Sequence, residues 1–161
     1  MKIPHTKVVQ IWTDGGCINN PGAGGLGIIM KYQDSYKEIY GYVPLTTNNQ
    51  MELLAVIIAL NSLTRSCEVE LYTDSQYVKK GITEWIHAWQ KKNWKTANKK
   101  PVKNQLLWQE LHQATQKHNV SFHWLKGHAG HTENERADTL CAKAIKEKAP
   151  LLSEYLHLLK D

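Results

Sequence analysis

Two aspartates stand in matching contexts. Each closes a short β-branched and aromatic run inside a Thr-Asp pair, Ile11-Trp12-Thr13-Asp14 and Leu71-Tyr72-Thr73-Asp74. In open α/β sheets ligands gather outside the carboxyl ends of parallel strands, so if the two runs are parallel neighbours both carboxylates point into one crevice. Glu52 precedes Leu53, Leu54, Ala55 and Val56, and Asp138 borders the apolar stripe of the last long helical stretch, so both are expected to be partly buried. An unpaired buried acid is costly and tends to take up a proton. Four such acids with no evident Arg or Lys partner call for a bound cation, and carboxylate oxygens are the ligands Mg²⁺ or Mn²⁺ prefers. Taken singly, each has a plainer role: Asp14 or Asp74 as a turn or helix cap, Glu52 as a capping-box acid reaching back to Asn49, Asp138 as a solvated helical residue. The joint occurrence is what points to a metal. His128, in the loop Gly127-His128-Ala129-Gly130-His131 ahead of Asp138, could hang over the same crevice as a proton carrier or be an exposed loop histidine. His131 reads as the N-terminal residue of a helix.

The elements that must position these residues follow from periodicity. Lys7–Asp14 reads as a strand buried on both faces, and Gly24–Gln33 with Tyr36–Pro44 as a hairpin turning at Asp34-Ser35. Thr46-Thr47-Asn48-Asn49 supplies capping residues for a helix over Gln50–Leu63. Glu68–Asp74 alternates as a strand. Ser75–Lys80 reads as a short helix stopped by Gly81, and Thr83–Lys92 as a second, with Trp85 and Trp89 on one face. Asn93–Val102 reads as a lysine-rich loop, Lys103–His118 as a helix, Val120–Lys126 as a strand and His131–Lys148 as a helix ended before Pro150. Three consecutive strands form an antiparallel meander, and two later strands separated by helices join in parallel through right-handed crossovers. The expected fold is α/β: one mixed five-stranded sheet with helices on both faces. Residues 1–149 are expected to form one domain, with 150–161 either a short docking helix or a frayed tail.

Composition fits a globular chain of 161 residues, 42% hydrophobic and 22% charged, which excludes disorder, collagen and coiled coil. No apolar run approaches the ~18 residues that would suggest a membrane span, nor is there a signal-like N-terminal stretch. Cys17, Cys67 and Cys141 form no Cys-x-x-Cys pair, so neither a zinc site nor a disulfide framework is expected, and the chain reads as cytosolic. The net charge of +5 is concentrated: residues 76–105 hold eight lysines and a single acid, Glu84, so the rest of the chain is slightly negative. Trp85, Trp89 and Trp94 lie in the same stretch. Lysines interleaved with large aromatics suit a nucleic-acid-facing element, and equally a solvated helix with an apolar underside.

The longer motifs narrow these alternatives. The runs Thr13-Asp14-Gly15-Gly16-Cys17-Ile18-Asn19-Asn20-Pro21-Gly22, Thr47-Asn48-Asn49-Gln50-Met51-Glu52, Thr73-Asp74-Ser75-Gln76-Tyr77-Val78 and Lys126-Gly127-His128-Ala129-Gly130-His131, followed by Asn134-Glu135-Arg136-Ala137-Asp138, resemble ribonuclease HI of the bacterial type across about residues 7–148. The resemblance implies an endonuclease that cuts the RNA strand of an RNA–DNA hybrid without sequence preference, acting as a monomer in the cytoplasm. It implies two divalent ions, Mg²⁺ with Mn²⁺ as an alternative, held by Asp14, Glu52, Asp74 and Asp138. His128 falls on the family's loop histidine, and products would carry 5′-phosphate and 3′-hydroxyl ends. Hybrid-contacting positions fall on Cys17, Asn20, Asn48, Asn49 and Gln76, where short polar groups would read 2′-hydroxyls. Thr47 with Asn104 resembles a phosphate pocket for the DNA strand. The basic segment resembles the family's protrusion, with Trp85, Lys91, Lys92, Trp94, Lys95, Lys99 and Lys100 facing substrate. Gln90 stands where a further cation is usual, and Thr132 where proline is common. Two other classes remain: another metal nuclease of the same fold, such as a junction resolvase or exonuclease, and a non-catalytic hybrid-binding module. Four clustered negative charges are of no use to a module that only binds a phosphate backbone.

Overall fold

The computed structural model describes residues 7–126 and 131–160. Its strands are β1 (Val9–Cys17), β2 (Gly22–Tyr32), β3 (Ser35–Thr46), β4 (Glu68–Thr73) and β5 (Asn119–Trp124). They form one sheet in the order β3-β2-β1-β4-β5, antiparallel across β3, β2 and β1 and parallel across β1, β4 and β5. This is the mixed five-stranded sheet expected from the order of elements. The helices are α1 (Asn48–Asn61), α2 (Gln76–Lys80), α3 (Ile86–Lys91), α4 (Gln105–Gln116) and α5 (Thr132–Glu147).

Alternation along the strands sends side chains to two cores, as the pleat requires. Ile11, Leu26, Ile28, Val69 and Leu71 join α1 and α4 in the larger core. Trp12 and Ile29 point the other way, against Ala137 and Leu140 of α5. The helix α1 is apolar nearly all round, with every residue from Leu53 to Leu60 buried, because it lies between the sheet and α4.

Two local expectations need correction. Gly81 does not stop a helix: its backbone is right-handed helical at φ −60°, and the chain passes through a widened turn over Gly81–Trp85 into α3, with Ile86 N–H bonding the Gly81 carbonyl. Glycine is needed there because a Cβ would run into the ring of Trp108, a fully buried residue of α4. The capping box of α1 is built by Thr47 and Gln50, not by Glu52 and Asn49, which starts the helix two residues earlier.

The C-terminal segment packs rather than trails. Tyr42 N–H donates to the Pro150 carbonyl (2.8 Å) and Leu152 N–H to the Tyr42 carbonyl (3.0 Å), so the chain pairs with the edge of β3. A 3₁₀ turn over Ser153–Leu159 then inserts Leu158 into the larger core. Among the described residues no helix is long and apolar enough to cross a membrane.

Candidate metal centre and nucleic-acid face

Sheet register brings the acids together. Trp12 and Tyr72 are partners in the parallel β1–β4 pair, and their rings stack at 5.0 Å on the α5 face. Asp14 and Asp74 each follow two residues later, so the pleat returns both to that face at the strands' carboxyl ends. Glu52 comes from the other layer. It reaches the same point because β1 has glycine at position 15: a Cβ there would lie 2.5 Å from the Met51 carbonyl carbon of α1. With the backbones that close, the Gly15 N–H donates to Glu52 Oε1. Carboxylate oxygens of Asp14, Glu52 and Asp74 lie within 4.8 Å of one another.

Asp138 arrives from α5. Gly27, the register partner of Asp14 in β2, leaves room for the Ala137 carbonyl, which lies where a Cβ would project. The next residue, Asp138, is exposed and stands near enough to Asp14 to raise its carboxyl. Two ion pairs hold the outer side of this helix to the sheet, Arg136 to Glu38 (2.6 and 3.0 Å) and Lys31 to Glu133 (3.0 Å).

Among the described residues no cation offsets the cluster's acids. Burial pushes Asp14 up to about 8, helped by the neighbouring Asp138 carboxyl and the charge of Asp74, and only partly offset by the Gly15 N–H. Glu52 keeps some accessible surface as a residue, but its carboxyl is enclosed, and burial raises it well above the usual carboxylate range. The charges of Asp14 and Asp74 add to that rise, while the Gly15 N–H and Ser75 hydroxyl oppose it. An all-carboxylate donor set of this kind suits a hard divalent cation and offers nothing to soft metals.

Beside the acids lies a polar cluster at the junction of β1 and α1. Cys17 N–H donates to Asn48 Oδ1 (2.8 Å), Asn48 N–H to Asn20 Oδ1 (3.0 Å), and the Cys17 thiol to Asn20 Oδ1 (3.4 Å). Asn20, Asn48, Asn49 and Gln76 are exposed, and Cys17 is half-buried. Thr47 and Asn104 meet through Gln50, whose Oε1 accepts from Thr47 N–H (3.2 Å) and whose Nε2 donates to Asn104 Oδ1 (3.3 Å). Asn104 is only 3% exposed and adopts the left-handed conformation at the start of α4, which asparagine tolerates better than most residues. Gln50, missed by the sequence reading, was recoverable from its place three residues after the capping Thr47.

The basic segment has exposed cations over an apolar underside. Lys91, Lys92, Lys95, Lys99 and Lys100 are exposed. Trp85, Trp89 and Trp94 are half-buried, their rings chained at 5.8 and 6.0 Å and leaning on Trp108 and Tyr77. Trp94 and Lys99 take left-handed backbone, and the loop is closed by Val102 N–H to the Trp94 carbonyl (3.1 Å) and Thr96 N–H to the Lys100 carbonyl (2.8 Å). The lysines thus project from an anchored aromatic base. His128 and its loop lie outside the described residues; the segment leaves from beyond Trp124, whose indole N–H donates to the Asp74 carbonyl (3.1 Å), and re-enters at His131, the capping position of α5.

Comparison with known proteins places these features in context. The family model described as RNase H matches residues 6–146. Ribonuclease H of Paramagnetospirillum magneticum is 56% identical over 144 residues, covering 89% of this chain and 94% of that protein. Among solved structures, LC9-RNase H1, described as a type 1 RNase H with the type 2 active-site motif, superposes with a TM-score of 0.82 at 33% identity, covering 92% of this chain and 76% of that one. LC11-RNase H1, solved in complex with RNA/DNA hybrid, gives 0.67 at 25% identity, covering 87% and 98%.

Proposed function

The chain belongs to the ribonuclease H family, endonucleases for the RNA strand of RNA–DNA hybrids, and we propose that Asp14, Glu52, Asp74 and Asp138 carry that reaction here by holding two Mg²⁺ ions, with Mn²⁺ as the alternative. The observation that carries this reading is the convergence of three carboxylates from two layers within 4.8 Å, with Asp138 beside them. Like charges so close cannot all stay ionised alone, as the upward shifts of Asp14 and Glu52 record. Bound there, divalent ions would supply the positive charge that the acids lack and that the scissile phosphate needs for in-line attack by water.

The chain's own groups do the rest. Gly15 N–H and Ser75 hydroxyl hold the Glu52 carboxyl in one orientation. The linked Cys17, Asn20 and Asn48, with Asn49 and Gln76, present short polar groups beside the acids, the arrangement needed to sense a 2′-hydroxyl and so reject DNA in the cleaved strand. Thr47 and Asn104 take a DNA-strand phosphate. The lysines with Trp85 and Trp94 hold the backbone through charge and contact without reading sequence. His128 relays a proton to the leaving 3′-oxygen; its support is its residue type and its place in the segment between Trp124 and His131. The enzyme acts as a cytoplasmic monomer in this reading, and the three free cysteines suit a reducing compartment.

The test uses end-labelled RNA–DNA hybrid, RNA duplex and DNA duplex, with and without Mg²⁺. Cleavage confined to the RNA of the hybrid, and dependent on metal, supports the assignment. Cleavage of DNA duplex would favour another metal nuclease of this fold, and binding without cleavage a hybrid-binding module.

A further inference from the structure

The C-terminal turn reaches the place where Thr47 and Asn104 meet. Gln50 is 7% exposed, and its amide is fully engaged: Oε1 accepts from Thr46 Oγ1 (2.9 Å) and Thr47 N–H (3.2 Å), while Nε2 donates to Asn104 Oδ1 (3.3 Å) and the Leu159 carbonyl (3.2 Å). The Leu159 carbonyl can only accept and the Thr47 N–H can only donate, so together they fix which end of the Gln50 amide faces which neighbour. That choice passes to Asn104, whose oxygen must face Gln50 and whose nitrogen must face away, donating to the Tyr77 hydroxyl (3.2 Å). Phosphate oxygens only accept hydrogen bonds, so an Asn104 turned the other way would present oxygen to oxygen.

We propose that the C-terminal segment is a positioning element for substrate binding: through the Leu159 carbonyl and Gln50 it orients Thr47 and Asn104 toward a phosphate of the DNA strand. This rests on the reading of Thr47 and Asn104 as the DNA-strand phosphate contact. Leu158 in the larger core and the β3-edge pairing of Tyr42 with Pro150 and Leu152 hold the segment in register, so the Leu159 carbonyl arrives as part of the packed body. Gln50 and Leu159 are therefore positioning residues, with no contact to the reacting atoms.

Methylphosphonate substitution, one DNA-strand position at a time, reads the contact directly by removing a phosphate charge. KM and kcat are measured on each hybrid for the parent, Gln50→Met, a chain ending at Leu152, and Thr47→Val. The parent should show one position where substitution raises KM roughly tenfold, the size of a lost charge-assisted hydrogen bond. In Gln50→Met and the shortened chain this selective rise should shrink to about twofold or less, with kcat at saturating hybrid unchanged, because a tenfold effect needs the oriented pair. A merely structural role would lower the melting temperature and leave the selective rise intact. Should the shortened chain not fold, Gln50→Met decides alone, since Met keeps the volume and removes only the amide. Full retention of the parent's selective rise in Gln50→Met overturns the proposal while leaving the phosphate contact standing. Absence of any sensitive position in the parent, or its persistence in Thr47→Val, overturns the phosphate reading itself and the proposal with it.

Discussion

Asp14 of β1 faces Asp138 of α5, whose carboxyl adds to the rise that burial imposes on Asp14. The folded value of about 8 for Asp14 lies above its ordinary 3.8, so between these values the folded chain keeps a proton that the unfolded chain has released. Stability without metal should therefore fall as pH rises from roughly 4 to 8. Asp14→Asn removes that loss. Its metal-free melting temperature should exceed the parent's at pH 8, by about 2–4 °C for each kcal/mol relieved, and converge with it near pH 4. Differential scanning calorimetry in chelator at the two pH values checks this; equal melting at pH 8 would mean that folding does not raise Asp14.

Gly27 lets α5 lie directly on β2. Gly27→Ala should push the Ala137 carbonyl, and Asp138 with it, away from Asp14. Overpacking of this kind costs about 1–3 kcal/mol, so the variant should fold with a lowered melting temperature. Its kcat should fall while KM changes little, since α5 carries neither the lysines of the basic segment nor the polar cluster. Steady-state kinetics at a temperature well below melting would show it, and an unchanged kcat would remove Asp138 from the reacting set.

Replacing Lys91, Lys92, Lys95 and Lys99 with Ala removes four exposed cations. If each neutralises one phosphate, each contributes about 0.7–0.9 to the slope of log K against log salt, and the slope flattens by roughly 3. Folding should survive, because exposed lysines contribute little to stability. Hybrid affinity measured against salt in Ca²⁺ tests this, and an unchanged slope would mean that the lysines face solvent.

His128→Ala should lower kcat by roughly 10²- to 10⁴-fold with KM nearly constant if His128 relays a proton. A loss confined to KM in the same assay would make it a binding residue.

Much of the candidate site's geometry was legible in the chain because its determinants are local. The repeated Thr-Asp ending of two hydrophobic runs already implied a shared crevice, and the parallel register of Trp12 with Tyr72 supplies it. Glu52 was visible as an acid at the head of an apolar helix. What stayed hidden depends on contacts distant in sequence. Gly81 looked like a stop because glycine often ends helices, but its reason is the Trp108 ring 27 residues later. The tail had no periodicity to read; its place is set by Tyr42 and by Leu158 entering the core. Gln50 carried a capping signal, yet its bonds to Asn104 and Leu159 could be seen only once three elements had met.

The four-acid metal centre is tested most directly by single-turnover cleavage of saturating RNA–DNA hybrid in Mg²⁺ by the parent and by Asp14→Asn, with hybrid affinity in Ca²⁺ measured for both. The variant should bind hybrid as well as the parent but cut its RNA strand immeasurably slowly, because only a ligand charge has been removed. A variant that retained a tenth of the parent's rate would contradict the assignment of Asp14 as an essential ligand and, with it, the reading of the four acids as a metal centre.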